Sequence, residues 1–210
     1  MSEMEVQSMV LGMVQTNVYL VKNKTTGELL VVDPADSPDR ITRKAGEMDG
    51  KPAAILLTHG HFDHIGACAA LRAKYGIMVY AEEHEKEVLM DTSKNLSGSW
   101  ASPVTLEADR YVKDGDILRL AGFEIHVYHT PGHTIGSCCY YFPEEKALFS
   151  GDTLFCESYG RTDLPTGSSH DMEESVQRIL REIPPDTAVY TGHEMFTTIA
   201  RERKYNPLAR

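Results

Sequence analysis

Between Thr58 and Gly66 the chain reads THGHFDHIG, which sets three histidines and one aspartate within six residues. Imidazole nitrogens and carboxylate oxygens are the usual protein ligands of zinc and similar divalent ions. His59 and His61, two positions apart, can project the same way from an extended segment, and Asp63 and His64 then face a neighbouring position. One tetrahedral ion with three protein ligands does not need four such groups in one loop; two ions do. The plain alternative is a polar, solvated turn. Against it, histidine makes up only 9 of 210 residues, and a third of them fall in this window.

Two ions need about six or seven protein ligands, and the rest of the set follows apolar runs elsewhere in the chain. FEIHVYH leads into TPGHT with His133, KALFS into GDTLF with Asp152, and TAVYT into GHE with His193, as AAILL leads into THGHFDH. Ligands at strand ends can converge on one edge of a sandwich, where α/β proteins place their sites. The neighbouring Gly60, Gly132, Gly151 and Gly192 let backbone approach such a cluster closely.

The elements that must position these residues are legible as short apolar runs bounded by turn residues. VQSMVLG (6–12), NVYLV (17–21), ELLVVD (28–33) and AAILL (53–57) read as strands, as do ILRL (117–120), FEIHVYH (123–129), SCCYYF (137–142), KALFS (146–150) and TAVYT (187–191). Hairpin turns are expected at Ala121-Gly122 and at Pro143-Glu144-Glu145. Helical patterns cover 38–48, with Pro38 just inside the start, and 66–75, 82–90 and 170–182. Each half begins with hairpin strands and continues into strand–helix alternation, which predicts two packed sheets with helices outside, an α/β sandwich. Residues 91–105, which hold Trp100, have no pattern and are either a connection or an active-site lid.

Composition narrows the function. A length of 210 residues suits one domain spanning 1–210. A net charge of -10 argues against nucleic acid as the main partner. No basic leader or membrane-length apolar run is present. Cys68, Cys138, Cys139 and Cys156 form no C-x-x-C pair, so reduced thiols in a cytoplasmic protein are expected.

THGHFDH, PGHT, GDTLF and GHE, in this order and spacing, resemble the metallo-β-lactamase-fold hydrolases from about residue 9 to the end. SGDTLFCESYGRTDLPTGS and GHEMFTTIARERKYNP are similar to the glyoxalase II-like branch, hydrolases of acyl-glutathione thioesters. The resemblance implies a four-layer αββα sandwich of two mixed sheets. It puts His59, His61 and His133 on one metal and Asp63, His64 and His193 on a second, with Asp152 bridging. Two divalent ions per chain are expected, zinc foremost with iron or manganese as alternatives, since histidine and aspartate accept all three.

A hydroxide held between two ions about 3.5 to 4 Å apart is available near neutral pH. Held by Asp152, with Asp63 as candidate proton acceptor, it would attack a thioester carbonyl. The leaving thiolate, whose parent thiol has a pKa around 8.5, departs without a strong general acid. Arg161 falls where the family has a basic residue contacting glutathione and is the expected anion contact, with Tyr159 beside it in the pocket. Asp33, at the end of LLVVD, is expected to orient a ligand histidine.

The family's tyrosine after GHE is Met195 here, and its tyrosine two positions after the basic residue is Asp163. The chain also runs only 17 residues past His193, so a short form without the family's C-terminal helical domain is expected. The expected partner is therefore a small-molecule thioester, glutathione-derived or built on another thiol, with no nucleic acid and no membrane. His84, His126, His129 and His170 are expected to be structural or exposed rather than ligands. The alternatives are a persulfide dioxygenase using one iron, since GRTD also occurs in that branch, a phosphodiesterase or RNA-processing enzyme, and a non-catalytic metal-binding protein.

Overall fold

A computed structural model describes residues 4–209, so the expected domain limits, 1 and 210, lie outside the described residues. Six strands form the first sheet in chain order: β1 Met4–Leu11, β2 Thr16–Asn23, β3 Glu28–Val32, β4 Lys51–Leu56, β5 Met78–Glu82 and β6 Arg110–Val112. The first three pair antiparallel and the rest continue in parallel. Parallel neighbours need crossovers. Helices α1 Pro38–Glu47, α2 Phe62–Ile65 and α3 Cys68–Tyr75 supply the first two, and a 3-10 turn, Glu83–Glu85, runs into α4 Lys86–Leu89 and α5 Ser97–Trp100.

The second sheet contains β7 Ile117–Leu120, β8 Phe123–His129, β9 Cys138–Phe142 and β10 Ala147–Gly151. A two-stranded ribbon, β11 Leu154–Phe155 with β12 Ser158–Tyr159, precedes α6 Ser169–Glu182. Strands β13 Ala188–Thr191 and β14 Thr197–Thr198 then complete the sheet, in the order β14-β13-β10-β9-β8-β7, before α7 Ile199–Tyr205. Both expected hairpins form. Leu120 pairs with Phe123 across Ala121 and Gly122, whose φ values of 51° and 76° suit a two-residue turn, and Phe142 pairs with Ala147.

Near-continuous apolar runs arise because the central strands are buried on both faces. In β3, Leu29 and Val31 face a core shared with α1 and α3, while Leu30 and Val32 face a second core between the sheets. β9 repeats the division: Cys138 enters the inter-sheet core and Cys139 a third core under α6 and α7. Three cores between four layers make the αββα sandwich. Helix α6 is capped by Ser168, which accepts from Asp171 N, and its buried stripe of Met172, Val176, Ile179 and Leu180 has helical spacing. Each such side chain contributes roughly 1.5–3 kcal/mol on full burial.

Three expectations change at this level. The pattern over 82–90 is not one helix, because Glu82 ends strand β5 and the remainder divides into the 3-10 turn and α4. The pattern over 66–75 starts later, at Cys68, after a separate turn of helix that carries Asp63 and His64. Residues 91–105 include α5 and are pinned by buried Asn95, whose amide reaches the Val104 carbonyl at 2.8 Å. No described helix is long and apolar enough to cross a membrane.

Candidate metal centre

The loops after β4, β8, β10 and β13 bring all seven expected residues together where the two sheets meet. His59, His61 and His133 form one group with ligand atoms within 4.8 Å of one another, and Asp63, His64 and His193 form another. Asp152 lies between them: Oδ1 is 3.6 Å from His64 Nε2, and Oδ2 is 3.5 Å from both His133 Nε2 and His193 Nε2. Asp152 also groups with His59 and His64. Gly192 must lack a side chain, since a Cβ there would stand 2.0 Å from Asp152 Oδ1.

Which ring nitrogen faces the cluster is set by what holds the other. Asp33 Oδ2 lies 3.0 Å from His64 Nδ1, leaving Nε2 for the cluster. The Arg161 carbonyl lies 2.8 Å from His133 Nδ1, and Thr58 Oγ1 lies 3.2 Å from His59 Nδ1. Asp33 also accepts from Thr58 N at 2.8 Å and from its hydroxyl at 2.6 Å. Thr16 donates to Asp63 at 3.0 Å, and Asn17 ties down the His193 loop through the Thr191 and Glu194 carbonyls, both at 3.0 Å.

The arrangement fits divalent ions on two observations. His59 Nε2 and Asp152 Oδ1 are buried with no hydrogen-bond partner, a state that buried polar atoms seldom tolerate, and His61 Nδ1 stands 2.9 Å from His133 Nε2, two imidazole nitrogens turned on one another. Charge supports the same conclusion. Burial, reinforced by neighbouring imidazoles, holds His59 and His61 well below the usual histidine range, so both offer lone pairs. Burial would also lower His64, but Asp63, Asp33 and Asp152 push it up to about 10. Asp63 shows the converse: burial would raise it, yet His64 and His193 hold it well below the usual carboxylate range. Carboxylates packed this closely demand a cation, a proton in the free pocket or a metal ion in its place.

A pocket of about 140 Å³ above the cluster is walled by Val14, Phe62, Leu96, Trp100 and Leu164, with Arg161 at its polar side, and a wider cleft of about 500 Å³ adjoins it. Leu96 and Trp100 thus make residues 91–105 a wall of the pocket. The Arg161 guanidinium is clasped by Asp163 through two contacts of 2.7 Å. Tyr159 is not among the residues lining either space.

The sequence reading passed over Glu85, a fully buried carboxylate. It accepts from Gly60 N at 2.6 Å, from the Thr134 hydroxyl at 2.8 Å and from Gly136 N at 2.9 Å. The loop bearing His59 and His61 is thereby tied to the loop bearing His133. The close approach depends on glycine: a Cβ at Gly136 would meet Glu85 N at 2.2 Å. In sequence Glu85 is one acid in the charged run EEHEKE, so no local signal separated it. Thr16 and Asn17 left a fainter trace, two polar residues just ahead of the apolar run VYLV.

The profile of the Metallo-beta-lactamase superfamily matches residues 11–193. The probable metallo-hydrolase YqgX of Bacillus subtilis is 36% identical over 206 residues, covering 97% of each chain. The hydroxyacylglutathione hydrolase GloC of Haemophilus influenzae is 32% identical over 181 residues, 84% of this chain and 85% of that one. Among solved structures, the BLEG-1 B3 metallo-beta-lactamase superposes with a TM-score of 0.91 at 38% identity, covering 98% of this chain and 99% of its own. TTHA1623 in a di-iron-bound form gives 0.82 at 35%, covering 96% and 98%. ETHE1 from Myxococcus xanthus gives 0.79 at 28%, covering 98% and 84%. With its sandwich, its clustered histidines and aspartates and a profile match across most of its length, the chain belongs to the metallo-beta-lactamase superfamily.

Proposed function

We propose that this metal-dependent hydrolase cleaves an acyl thioester to a carboxylate and a thiol, using two divalent ions, zinc foremost, with iron or manganese as alternatives. The observation that carries the proposal is Asp152, whose two carboxylate oxygens face both ligand groups from between them. On this reading His59, His61 and His133 would hold one ion and Asp63, His64 and His193 the other, with the Asp152 carboxylate available to both groups. Bound ions would supply Lewis acidity and bring the pKa of water towards about 7.

The chain's own residues do the rest. Asp63, whose carboxylate faces the cluster and receives the Thr16 hydroxyl at 3.0 Å, is the candidate proton acceptor. The apolar wall from Val14 to Trp100 packs against the acyl group and excludes water. Arg161, offset by Asp163, meets the polar end of the substrate. Every histidine and carboxylate lining the small pocket belongs to the seven cluster residues, and the one further carboxylate, Glu194, lines only the wider cleft, so no general acid stands directly over the cluster. A thiolate tolerates that lack better than an amide nitrogen does. The GloC relative supports the same substrate class.

β-Lactam hydrolysis is a second reading, favoured by the similarity to BLEG-1. Persulfide dioxygenation with one iron is a third, resting on GRTD at Gly160–Asp163. Metal analysis of the purified protein, joined to assays on S-lactoylglutathione, glutathione persulfide and a chromogenic β-lactam, separates them. Two ions per chain with thioester cleavage is the expected result. One iron with oxygen uptake and no thioesterase activity overturns it, as does turnover confined to the β-lactam.

A further inference from the structure

Outside the seven-residue cluster, the fold assembles another set of donors from residues that the sequence left without a ligand role. Glu82 ends β5, His84 lies in the 3-10 turn after it, and His129 ends β8 in the opposite sheet. Their ligand atoms all lie within 4.8 Å of one another. The Glu82 side chain is only 1% exposed, and its ion-pair partners among the described residues are these two imidazoles. His84 Nδ1 stands 2.9 and 3.2 Å from the two Glu82 oxygens, and His129 Nε2 stands 3.9 Å from Oε2. The rings stack at 5.1 Å, only 13° from parallel, with a nitrogen of each near the carboxylate.

A buried carboxylate requires a cation. The nearby Lys113 ammonium does not serve, because it pairs with Glu83 at 3.2 Å. Protonated His84 alone can balance that charge, with its Nδ1 at 2.9 Å and its backbone N–H at 2.7 Å from the carboxylate. A divalent ion shared by all three groups would take that proton's place and engage the stacked His129 ring as well.

We propose that Glu82, His84 and His129 form a peripheral binding site for a zinc-class divalent ion, separate from the seven-residue centre. Two nitrogens and one oxygen select zinc or its borderline neighbours over magnesium and calcium. Ligand atoms around tetrahedral zinc stand roughly 3.3 Å apart, close to the 3.2 Å between His84 Nδ1 and Glu82 Oε2. The wider gap, 3.9 Å between His129 Nε2 and Glu82 Oε2, closes by a small turn of the His129 ring, while His84, whose side chain is 51% exposed, adjusts to it and water completes the shell. His129 Nε2 now donates to the Ile135 carbonyl at 2.8 Å; to ligate, the neutral ring would carry its proton on Nδ1 instead, leaving the Nε2 lone pair for the ion. An ion here staples β5 to β8 across the two sheets, three residues before Glu85 grips both ligand loops.

The test uses the protein loaded with its active-site ions and then titrated with zinc chloride by calorimetry, with thermal melts in parallel. The expected result is one further equivalent, a raised Tm, and no comparable uptake of magnesium. His84→Ala and His129→Ala should each weaken that equivalent at least about tenfold while the active-site ion content stays unchanged. Because His84 is half exposed, its variant decides the matter even if His129→Ala folds poorly. No further equivalent up to millimolar zinc overturns the proposal. So does a further equivalent that His84→Ala leaves intact, which would mark an adventitious ion only.

Discussion

The Asp33 carboxylate lies 3.0 Å from His64 Nδ1 and simultaneously receives the backbone N–H and hydroxyl of Thr58, the residue before His59. One buried side chain thus sets the orientation of a histidine in one ligand group and the backbone leading to the other.

Asp33→Asn keeps the shape of that side chain but swaps one acceptor for a donor. Loss of such a partner typically lowers metal affinity about 10–100-fold. The ion on the Asp63, His64 and His193 side should be the first lost in competition with a chromophoric chelator. Unchanged affinity for both ions would show that His64 needs no partner.

Glu85 carries a pH signature. Burial, against the pull of Thr134, Gly60 and Gly136, raises its pKa from 4.5 to about 7. Between those values the folded metal-free chain keeps a proton that the unfolded chain has lost, so unfolding free energy falls as pH rises. The slope is at most about 1.4 kcal/mol per pH unit. Glu85→Gln should abolish this component and cost about 1–3 kcal/mol by leaving a loop N–H without its acceptor. Denaturant melts of both proteins from pH 4.5 to 7 measure the difference, and parallel curves would refute the account.

At the pocket rim Asp163 clasps Arg161, so on the proposed reading it competes with substrate for that guanidinium. Asp163→Asn should lower KM for an anionic thioester several-fold with little change in kcat, and Arg161→Ala should raise it. Steady-state kinetics on a charged and a neutral thioester settle the point: an unchanged KM in Arg161→Ala removes that residue from substrate binding.

Removing the metal should expose the charge balance of the pocket. In the free chain His64 has its pKa raised to about 10, so its stabilising contribution is complete below its unfolded value near 6.5 and fades as pH climbs through about 10. Asp63 is depressed instead, so its contribution holds above its unfolded pKa and disappears on acidification. Chelator-treated protein should therefore lose Tm on raising the pH from 7 to 10, while metal-loaded protein changes far less. Equal alkaline losses in both forms would falsify this assignment.

The sequence made the metal-ligand candidates legible because they combine a dense local motif with three apolar runs that each end in a ligand. Strand β5 escaped because Met78–Glu82 runs straight into charged residues with helical spacing, and β14 is two residues long. Glu85 and the Glu82–His84–His129 group were hidden for another reason. Glu85 meets Gly60, 25 residues away, across neighbouring strands of the first sheet, and Gly136, 51 residues away, only because the two sheets pack. No local spacing encodes such partners. Arg161 was visible as a basic residue, but its bidentate clasp by Asp163 depends on side-chain direction, which the pattern does not specify.

The placement of His64 against His193, 129 residues apart in the chain, also bears on how the molecule is made. Neither half of the sequence can complete the second ligand group alone, so metal capture there must wait until the last strands dock. Long-range closure of this kind is slow. An early ion, held by THGHFDH before His133 and His193 have emerged, would act as a template on which the second sheet assembles.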